Sequence, residues 1–247
     1  MNELKHIEDF KQILTTYQLS ASAKATLQKT ELVLLVGPTS SGKNTIIDEL
    51  VKTGQYHQIV SDTTRKPREN MGVLEQDGRE YWFRPEEQVL ADLKNGEFLE
   101  AAIIHNQQVS GISIRELERA AAEHKIAINE VETNGAQAIY TAKPDAYFFF
   151  VIPPSFDEWM ARMSARGALP DDEVHRRLTS AVQELTIGLS RPYYRFIVNE
   201  TFMHAAKRID SIVRESSSAG NNQEQARDIA GRLLNETRAY LEAEQKE

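Results

Sequence analysis

The sequence predicts an α/β fold with a parallel, doubly wound sheet. Residues 31–36 read ELVLLV, and strands are also expected at 126–131 and 146–152. Continuous apolar runs, rather than alternating ones, are typical of strands that are covered on both faces. Segments with helical spacing lie between these strands, at 44–52 and 134–142. Strands that alternate with helices favour a parallel sheet.

Turn signals and helical spacing predict the remaining elements. The polar segment 56–83 has turn signals at Lys66-Pro67 and Asp77-Gly78 and is expected to hold short strands. A short strand is expected at 196–198. Further helices are predicted at 85–95, 114–123, 155–166, 171–189 and 201–214.

Both ends of the chain carry an apolar stripe at helical spacing. At the N-terminus the stripe lies in residues 3–18, and at the C-terminus it runs from Ala226 to Leu241. Residues 216–222 (SSSAGNN) have the composition of a linker. Because an amphipathic helix must bury its stripe, we expect the terminal helices to pack on the rest of the chain or, alternatively, in a homodimer. Membrane-surface binding is not expected, because the C-terminal helix is net acidic.

Composition excludes several functional classes. The chain has 247 residues, a formal net charge of −8 and no cysteine. The negative charge argues against nucleic acid as the main partner, and the lack of cysteine excludes disulfides and thiolate chemistry. No apolar stretch approaches the roughly 20 residues of a membrane span, and the charged N-terminus has no signal core. The expectation is a cytoplasmic protein without membrane partners.

Residues 37–43 (GPTSSGK) follow an apolar strand and open a helix, as a phosphate-binding loop does. The backbone amides of such a loop bind phosphate oxygens, and Lys43 would reach the β- and γ-phosphates. The residue after the lysine is usually Ser or Thr, whose hydroxyl binds Mg²⁺; here it is Asn44. An amide oxygen can also ligate Mg²⁺, so the metal site is either rebuilt or weakened. The expected ATP-binding residues here are Gly37, Pro38, Thr39, Ser40, Ser41, Gly42, Lys43, Asn44 and Thr45.

A second constellation of anion-binding residues follows at 61–68 (SDTTRKPR). Arg65 and Arg68 flank a rigid Lys-Pro step and could form a fork for a dianionic phosphate, a task that suits guanidinium groups better than lysine. The segment 77–83 (DGREYWF) adds the hydroxyl of Tyr81. For the arginines alone, a solvated basic loop is the alternative interpretation.

Together these motifs closely resemble the guanylate kinase family. The resemblance is carried by S-x-T-T-R-x-P-R at 61–68, G-x-x-Y-x-F at 78–83, F-L-E at 98–100, the pair Arg166-Gly167 and I-V-N at 197–199, in family order. It covers about residues 30–215 and implies a three-layer P-loop NTPase-type fold. Within a kinase domain at 31–215 it implies an acceptor-binding subdomain at about 61–113 and a helical lid at about 157–190. Residues 1–30 and 216–247 would be extensions.

The resemblance also implies roles for individual residues. It implies an ATP-dependent transfer to GMP, with Mg²⁺ as cofactor and nucleotides as partners. Arg166 and Asn199 would flank the adenine of ATP, and Asn44 and Glu130 would serve the metal. The lid arginines Arg162, Arg166 and Arg177, with Lys43, would be catalytic. The GMP-binding residues would be Ser61, Arg65, Arg68, Tyr81, Glu100, Ser113 and Glu132, with Glu100 selecting guanine.

Three departures from the family pattern fall on the acceptor and metal sites. The family's Tyr-Tyr-Gly-Thr/Ser run corresponds here to residues 107–113 (QQVSGIS), which contain no tyrosine. The family's Asp-x-Asp is Glu130-Val131-Glu132, and the loop between Arg68 and Tyr81 is longer than usual. Two alternatives therefore stay open: a related kinase whose acceptor is a sugar phosphate, and a non-catalytic module that binds protein partners. The intact Gly42-Lys43 argues against the module.

Overall fold

The computed structural model describes residues 4–70, 72–165, 169–214 and 222–244. These residues form two compact units. Unit 1 comprises the described residues up to Leu32 together with Tyr56–Asn129 and Gln137–Ala146. Unit 2 comprises Val33–Gln55, Glu130–Ala136 and the described residues from Tyr147 onward. The predicted α/β class is confirmed.

The elements agree with the predicted order. The helices are α1 (Ile7–Thr15), α2 (Ala21–Lys29), α3 (Lys43–Lys52), α4 (Glu86–Lys94), α5 (Ile114–Ala122), α6 (Thr133–Ala142), α7 (Phe156–Ser164), α8 (Asp171–Ser190), α9 (Phe202–Arg214) and α10 (Gln223–Glu244). The strands are β1 (Leu32–Val36), β2 (Tyr56–Gln58), β3 (Asp62–Thr63), β4 (Glu69–Asn70), β5 (Val73–Leu74), β6 (Trp82–Phe83), β7 (Phe98–Ile104), β8 (Gln108–Ser113), β9 (Ile126–Glu130), β10 (Tyr147–Ile152) and β11 (Arg195–Val198).

The strands of unit 2 are parallel, as the continuous apolar runs predict. They are ordered β11-β10-β1, with Val33 opposite Tyr147 and Phe149 opposite Arg195. Every residue of β1 is buried. Because the strands are parallel, their carboxyl ends lie along one edge, and the segments that follow them begin there.

Unit 1 contains a parallel pair of β2 with β9 and a mixed sheet in the order β6-β3-β8-β7. Strands β7 and β8 form an antiparallel hairpin that the sequence did not predict. Its turn residues, His105 and Asn106, both have positive φ, of 50° and 57°. Such a turn matches the twist of paired strands, but His-Asn lacks the glycine that usually signals it.

The N-terminal segment forms two helices, where the spacing of residues 3–18 predicted one. The second helix, α2, was missed; Ser20 caps it by accepting a hydrogen bond from the Ala23 amide at 3.1 Å. Helix α1 packs on α4 and β7 within unit 1, with Phe10 fully buried. The Tyr17 hydroxyl donates to the Phe98 carbonyl at 2.6 Å and accepts from the Phe98 amide at 2.7 Å. Burial raises the pKa of Tyr17 to about 12.

The predicted C-terminal helix is present as α10 and packs along α8 and β11 within unit 2. The Gln223 side chain continues the hydrogen bonding of β11: it accepts from the Phe196 amide at 2.7 Å and donates to the Phe196 carbonyl at 3.1 Å. Arg227 donates to the carbonyls of Leu189, Arg191 and Tyr194 at 3.1–3.3 Å. Residues 215–221, which hold all but the last residue of the expected linker, lie outside the described residues.

The packing of α10 makes a stability prediction. Leu233 of α10 is 1% exposed. We expect Leu233→Ala to lower the free energy of unfolding by about 2–5 kcal/mol, because deletion of a buried leucine side chain leaves a cavity. Urea denaturation followed by circular dichroism measures the change. Glu236→Ala, at an exposed position of the same helix, is the matched control. Equal stability of the two variants would show that α10 contributes little to the core of unit 2.

Candidate functional site

The loop 37–43 connects β1 to α3 and has a backbone shape that requires glycine at two positions. Gly37 has φ +132° and Gly42 has φ +94°. A Cβ at Gly37 would collide with the carbonyl oxygen of Val151, and a Cβ at Gly42 would collide with the Asn199 side chain. Gly42 is also the N-cap of α3, so Lys43 is the first residue of the helix. The loop amides and the positive end of α3 therefore belong to one anion-binding surface.

Side chains from two other elements fix the carbonyls of this loop. The indole of Trp159, on α7, donates to the Thr39 carbonyl at 2.8 Å. The amide of Asn199, directly after β11, donates to the Ser41 carbonyl at 2.8 Å. These bonds hold the loop in its shape through its carbonyl groups. Asn199 was predicted as a base contact, whereas Trp159 was missed, because a tryptophan in a helix gives no sequence signal of such a contact.

Polar groups that could serve a ligand are concentrated at this loop. The hydroxyls of Ser40 and Ser41 are buried and have no hydrogen-bond partner among the described residues. The Lys43 ammonium donates to the carbonyls of Gly37 at 2.6 Å and Pro38 at 3.2 Å. Buried polar groups are normally paired, so the two orphaned hydroxyls fit a loop that binds a polar ligand.

Lys43 interacts with two carboxylates, those of Glu130 and Glu184. Its ammonium lies 3.9 Å from Glu130, the last residue of β9. Glu184 of α8 was not predicted; burial raises its pKa, the charge of Lys43 lowers it and the charge of Glu132 raises it. Glu132 itself is exposed. Carboxylates thus partly offset the positive charge of Lys43.

Two of the three predicted lid arginines lie in described residues, and both form hydrogen bonds with protein groups. Arg162 of α7 donates to Glu158 and to the Asn199 carbonyl, each at 2.9 Å. Arg177 of α8 donates to Glu173 at 2.6 Å. The third, Arg166, lies outside the described residues. To contact a phosphoryl group, Arg162 would have to exchange these protein acceptors for phosphate oxygens.

In unit 1, Glu75 joins the predicted acceptor residues. The Arg65 guanidinium pairs with both oxygens of Glu75, one of them at 2.8 Å, and lies 4.8 Å from the centre of the Tyr81 ring. The Arg68 amide donates to the same carboxylate at 2.8 Å, while its guanidinium reaches Gln108 at 3.4 Å. The structure therefore brings together the predicted residues Arg65, Arg68 and Tyr81. They are grouped around Glu75, which the sequence analysis did not single out.

The carboxylate of Glu75 is strongly held. Its hydrogen bonds with Arg65, followed by those with the Arg68 amide, hold the pKa of Glu75 at about 2, and the same pairing raises the pKa of Arg65. Both side chains are nearly buried, at 8% and 11% exposure. A bidentate pair of this kind fixes the direction of the remaining guanidinium N–H groups.

The other predicted acceptor residues of unit 1 lie on or beside its mixed sheet. Ser61 accepts from Asn129 at 3.4 Å, and Glu100 lies in β7 opposite Ile112. Ser113 ends β8, and its buried hydroxyl has no partner among the described residues. Buried Asp62 anchors β3 by accepting from Arg84 at 3.0 Å and from Arg115 at 2.8 Å. This ion pairing holds the strand that separates Ser61 from Arg65.

The described residues hold neither a membrane-spanning helix nor a ready-made cluster of metal ligands. No described helix is long and apolar enough to cross a membrane. In the described ranges, no group of three or more His, Cys, Asp or Glu side chains is placed to hold a metal ion. A metal that is held mainly by nucleotide phosphates needs few protein ligands.

Comparisons with known proteins agree with these features. The family model described as guanylate kinase matches residues 29–216. The chain is 34% identical to a guanylate kinase of Clostridioides difficile, covering 76% of this chain and 88% of that protein. It is 35% identical to a guanylate kinase of Nocardia farcinica, with 77% and 97% coverage.

Two further relatives place the match in context. Guanylate kinase 1 of Arabidopsis thaliana is 31% identical over 73% of this chain, but the match spans only 46% of that longer protein. A crystal structure of guanylate kinase from Anaplasma phagocytophilum superposes with a TM-score of 0.55 at 24% identity, covering 77% of this chain and 89% of that one. The structural likeness supports the fold.

The Glu75–Arg65 pair predicts a specific pH dependence. Because folding lowers the pKa of Glu75 from 4.5 to about 2, its contribution to stability is present above pH 4.5 and is lost as the pH falls toward 2. At pH 7 we expect Glu75→Gln to cost roughly 1.5–3 kcal/mol, since a buried guanidinium loses its charged partner. The difference from the unsubstituted protein should shrink below pH 4.5.

Urea unfolding between pH 7 and pH 2.5 tests this expectation. Glu69→Gln, an exposed carboxylate of β4 in the same loop, is the matched control and should leave both stability and its pH dependence unchanged. A Glu75→Gln variant whose deficit is equally large at pH 7 and pH 2.5 would show that the ionised pair is not the source of the stability.

Proposed function

The chain belongs to the guanylate kinase family, and on this premise we propose that it transfers the γ-phosphoryl group of ATP to GMP, giving ADP and GDP. The observation that carries the proposal is that one chain holds both a complete phosphate-binding loop, in unit 2, and the Arg65–Arg68–Tyr81 cluster, in unit 1. A kinase that acts on a phosphorylated acceptor needs both kinds of anion site.

On the donor side, the loop from Gly37 to Lys43, with Asn44 and Thr45, binds the phosphates of ATP. The loop amides and the α3 N-terminus supply hydrogen bonds and a positive partial charge. Lys43 exchanges its hydrogen bonds with loop carbonyls for the β- and γ-phosphates. Asn199, already bonded to the loop, flanks the adenine together with Arg166.

Mg²⁺ is the proposed cofactor. Asn44 and Glu130 would serve its site, Glu130 with a carboxylate of the kind that Mg²⁺ prefers. Glu130 fits this role because its carboxylate lies beside the phosphate-binding loop, 3.9 Å from the Lys43 ammonium. When bound, the ion would neutralise charge on the β- and γ-phosphates.

On the acceptor side, Arg65, Arg68, Tyr81 and Ser61 bind the phosphate of GMP. Glu75 holds the Arg65 fork in place before the phosphate binds, which lowers the ordering cost of binding. Glu100 accepts hydrogen bonds from guanine N1–H and its exocyclic amine, and a carboxylate cannot do this for adenine. Ser113 and Glu132 complete the expected base contacts, and for Glu132, in unit 2, the family resemblance is the only support.

The chemistry needs no general base, because the attacking atom is an anionic phosphate oxygen. Positioning and charge neutralisation dominate phosphoryl transfer. We assign neutralisation of the transferred group to Lys43 and to Arg162, Arg166 and Arg177. Closure of the helical lid would exclude water, which would otherwise hydrolyse ATP.

The alternative acceptor, a sugar phosphate, rests on Asn44 after the loop lysine, and the hairpin β7–β8 also departs from the family pattern at the acceptor site. Residues 107–113 lack both tyrosines of the family pattern, and Gln108 contacts Arg68 instead. This changes the polar groups around the acceptor phosphate without removing the guanidinium groups.

We also propose that the protein works in the cytoplasm with nucleotides as its partners and without nucleic acid. The formal charge of −8 supports the proposal that nucleic acid is not a partner. The terminal helices bury apolar residues within their own units, Phe10 in α1 and Leu233 in α10. A homodimer through these helices would therefore have to use their other faces.

A coupled assay of ADP release with ATP and Mg²⁺ tests the activity. GMP and dGMP should turn over far faster than AMP, CMP, UMP or ribose phosphates. Lys43→Ala should lower kcat by about 10²–10³-fold, the effect of removing one preorganised charged contact to the transition state. Lys52→Ala, an exposed lysine of the same helix, should leave the rate unchanged. Turnover with ribose phosphates alone would establish the alternative acceptor, and no turnover with any acceptor would refute the kinase proposal.

The guanine-reading role of Glu100 has its own test. Glu100→Gln keeps the size of the side chain but presents an N–H group to the guanine donors. We expect kcat/KM for GMP to fall by about 10²-fold or more, because buried donors of the base lose their acceptor. The rate with AMP should not fall in proportion. Glu97→Gln, just before β7, is the matched control. If the ratio of kcat/KM for GMP to kcat/KM for AMP were unchanged in Glu100→Gln, base selection would be assigned to another residue.

A further inference from the structure

Two departures from the family pattern touch each other. Asn44 takes the place of the usual Ser or Thr after the loop lysine, and Glu130 takes the place of an Asp at the end of β9. In the amide orientation that its neighbours require, the Asn44 nitrogen donates to both oxygens of Glu130, at 2.8 and 3.2 Å. Both residues belong to unit 2.

The geometry of this contact depends on both departures. The amide nitrogen of Asn lies one bond farther from Cα than the hydroxyl of Ser or Thr, and Glu is one methylene longer than Asp. An –NH₂ group can also donate two hydrogen bonds, while a hydroxyl donates one. A Thr at position 44 could therefore not make the same bidentate contact with Glu130.

Stability does not explain the pair. Asn44 is exposed and the Glu130 side chain is 43% exposed. Polar pairs that are exposed to water contribute little to folding. What the contact does fix is the orientation of the Glu130 carboxylate, whose Oε2 also lies 3.9 Å from Lys43.

We propose that Asn44 is a positioning residue that holds Glu130 for the metal–nucleotide complex, instead of replacing the usual hydroxyl as a direct ligand. The inference rests on the proposed function, because it concerns Mg²⁺ bound with ATP. Groups that orient a metal ligand commonly change metal affinity by about 10–100-fold when they are removed. Asn44 and Glu130 thus form one functional unit, and substitution of either affects the same property.

The test measures how strongly Mg²⁺ promotes ATP binding, without turnover. Isothermal titration calorimetry gives the Kd of ATP in saturating MgCl₂ and in EDTA, and their ratio is the Mg²⁺ linkage. Asn44→Thr should lower this linkage by about 10–100-fold, although it introduces the hydroxyl that such loops usually carry. In a Glu130→Gln background the same substitution should have no further effect. Asn44→Thr with Glu130→Asp should recover part of the linkage.

The controls separate positioning from folding. Glu49→Gln removes another carboxylate, on the same helix as Asn44, and should leave the linkage and ATP binding unchanged. The thermal unfolding midpoint of every variant in EDTA should match that of the unsubstituted protein. Asn44→Ser provides a second hydroxyl variant with the same expected result.

Two outcomes would overturn the inference. One is an Asn44→Thr variant with linkage equal to or above that of the unsubstituted protein, which would make Asn44 a simple replacement for the hydroxyl. The other is an Asn44→Thr substitution that lowers the Mg²⁺ linkage equally in the unsubstituted protein and in the Glu130→Gln background. Because GMP is absent, failure of GMP turnover leaves this test intact. Unsubstituted protein that binds ATP equally with and without Mg²⁺ would refute the inference even if GMP turned over.

Discussion

The close approach of the phosphate-binding loop to its neighbouring strands is the constraint on which unit 2 depends. Gly37 leaves no room for a side chain against the Val151 carbonyl, and Gly42 leaves none against Asn199. Both neighbours lie at or just after the carboxyl ends of parallel strands, where α/β proteins bind their ligands. The parallel order β11-β10-β1 therefore places the Val151 carbonyl and Asn199 next to the loop. A register shift of β10 or β11 would move Val151 or Asn199 away from the loop.

The cluster of Arg65, Arg68 and Tyr81 in unit 1, the proposed acceptor site, uses charge in a different way. A fork for a dianion needs concentrated positive charge, yet an unpaired buried guanidinium would be costly before the anion binds. Glu75 offsets this cost by pairing with Arg65 while the Tyr81 ring covers the guanidinium. The pairing weakens the net attraction for phosphate, but it also fixes the fork. In this unit, the Arg65 guanidinium is held in position before an anion binds, but its electrostatic attraction for that anion is weaker.

Contiguous motifs could be predicted from the sequence, whereas contacts between distant segments could not. The loop 37–43, the strands beside it and the cluster of Arg65 with Tyr81 follow from local spacing and turn chemistry. Trp159 acts through one hydrogen bond to a residue far away in the chain, and Glu75 acts from within a longer loop. Neither residue has a distinctive spacing. Helix α2 was missed because its short run of Ala, Ser and Lys shows little amphipathic contrast. The β7–β8 hairpin was missed because its turn carries no glycine.

The charges around Lys43 bear on which form of ATP the loop accepts. The Lys43 ammonium lies 3.9 Å from Glu130, and its charge also acts on Glu184, so two carboxylates share this one lysine. Burial raises the pKa of Glu184 because the charged form is poorly solvated, and like charge from Glu132 adds to this. Uncomplexed ATP, a polyanion, would be repelled by these groups, whereas a cation bound to its phosphates would turn the repulsion into attraction. The acidic surroundings of the lysine thus accord with the proposed binding of ATP as its metal complex, and Glu130, held by Asn44, is the carboxylate to which we assign that preference.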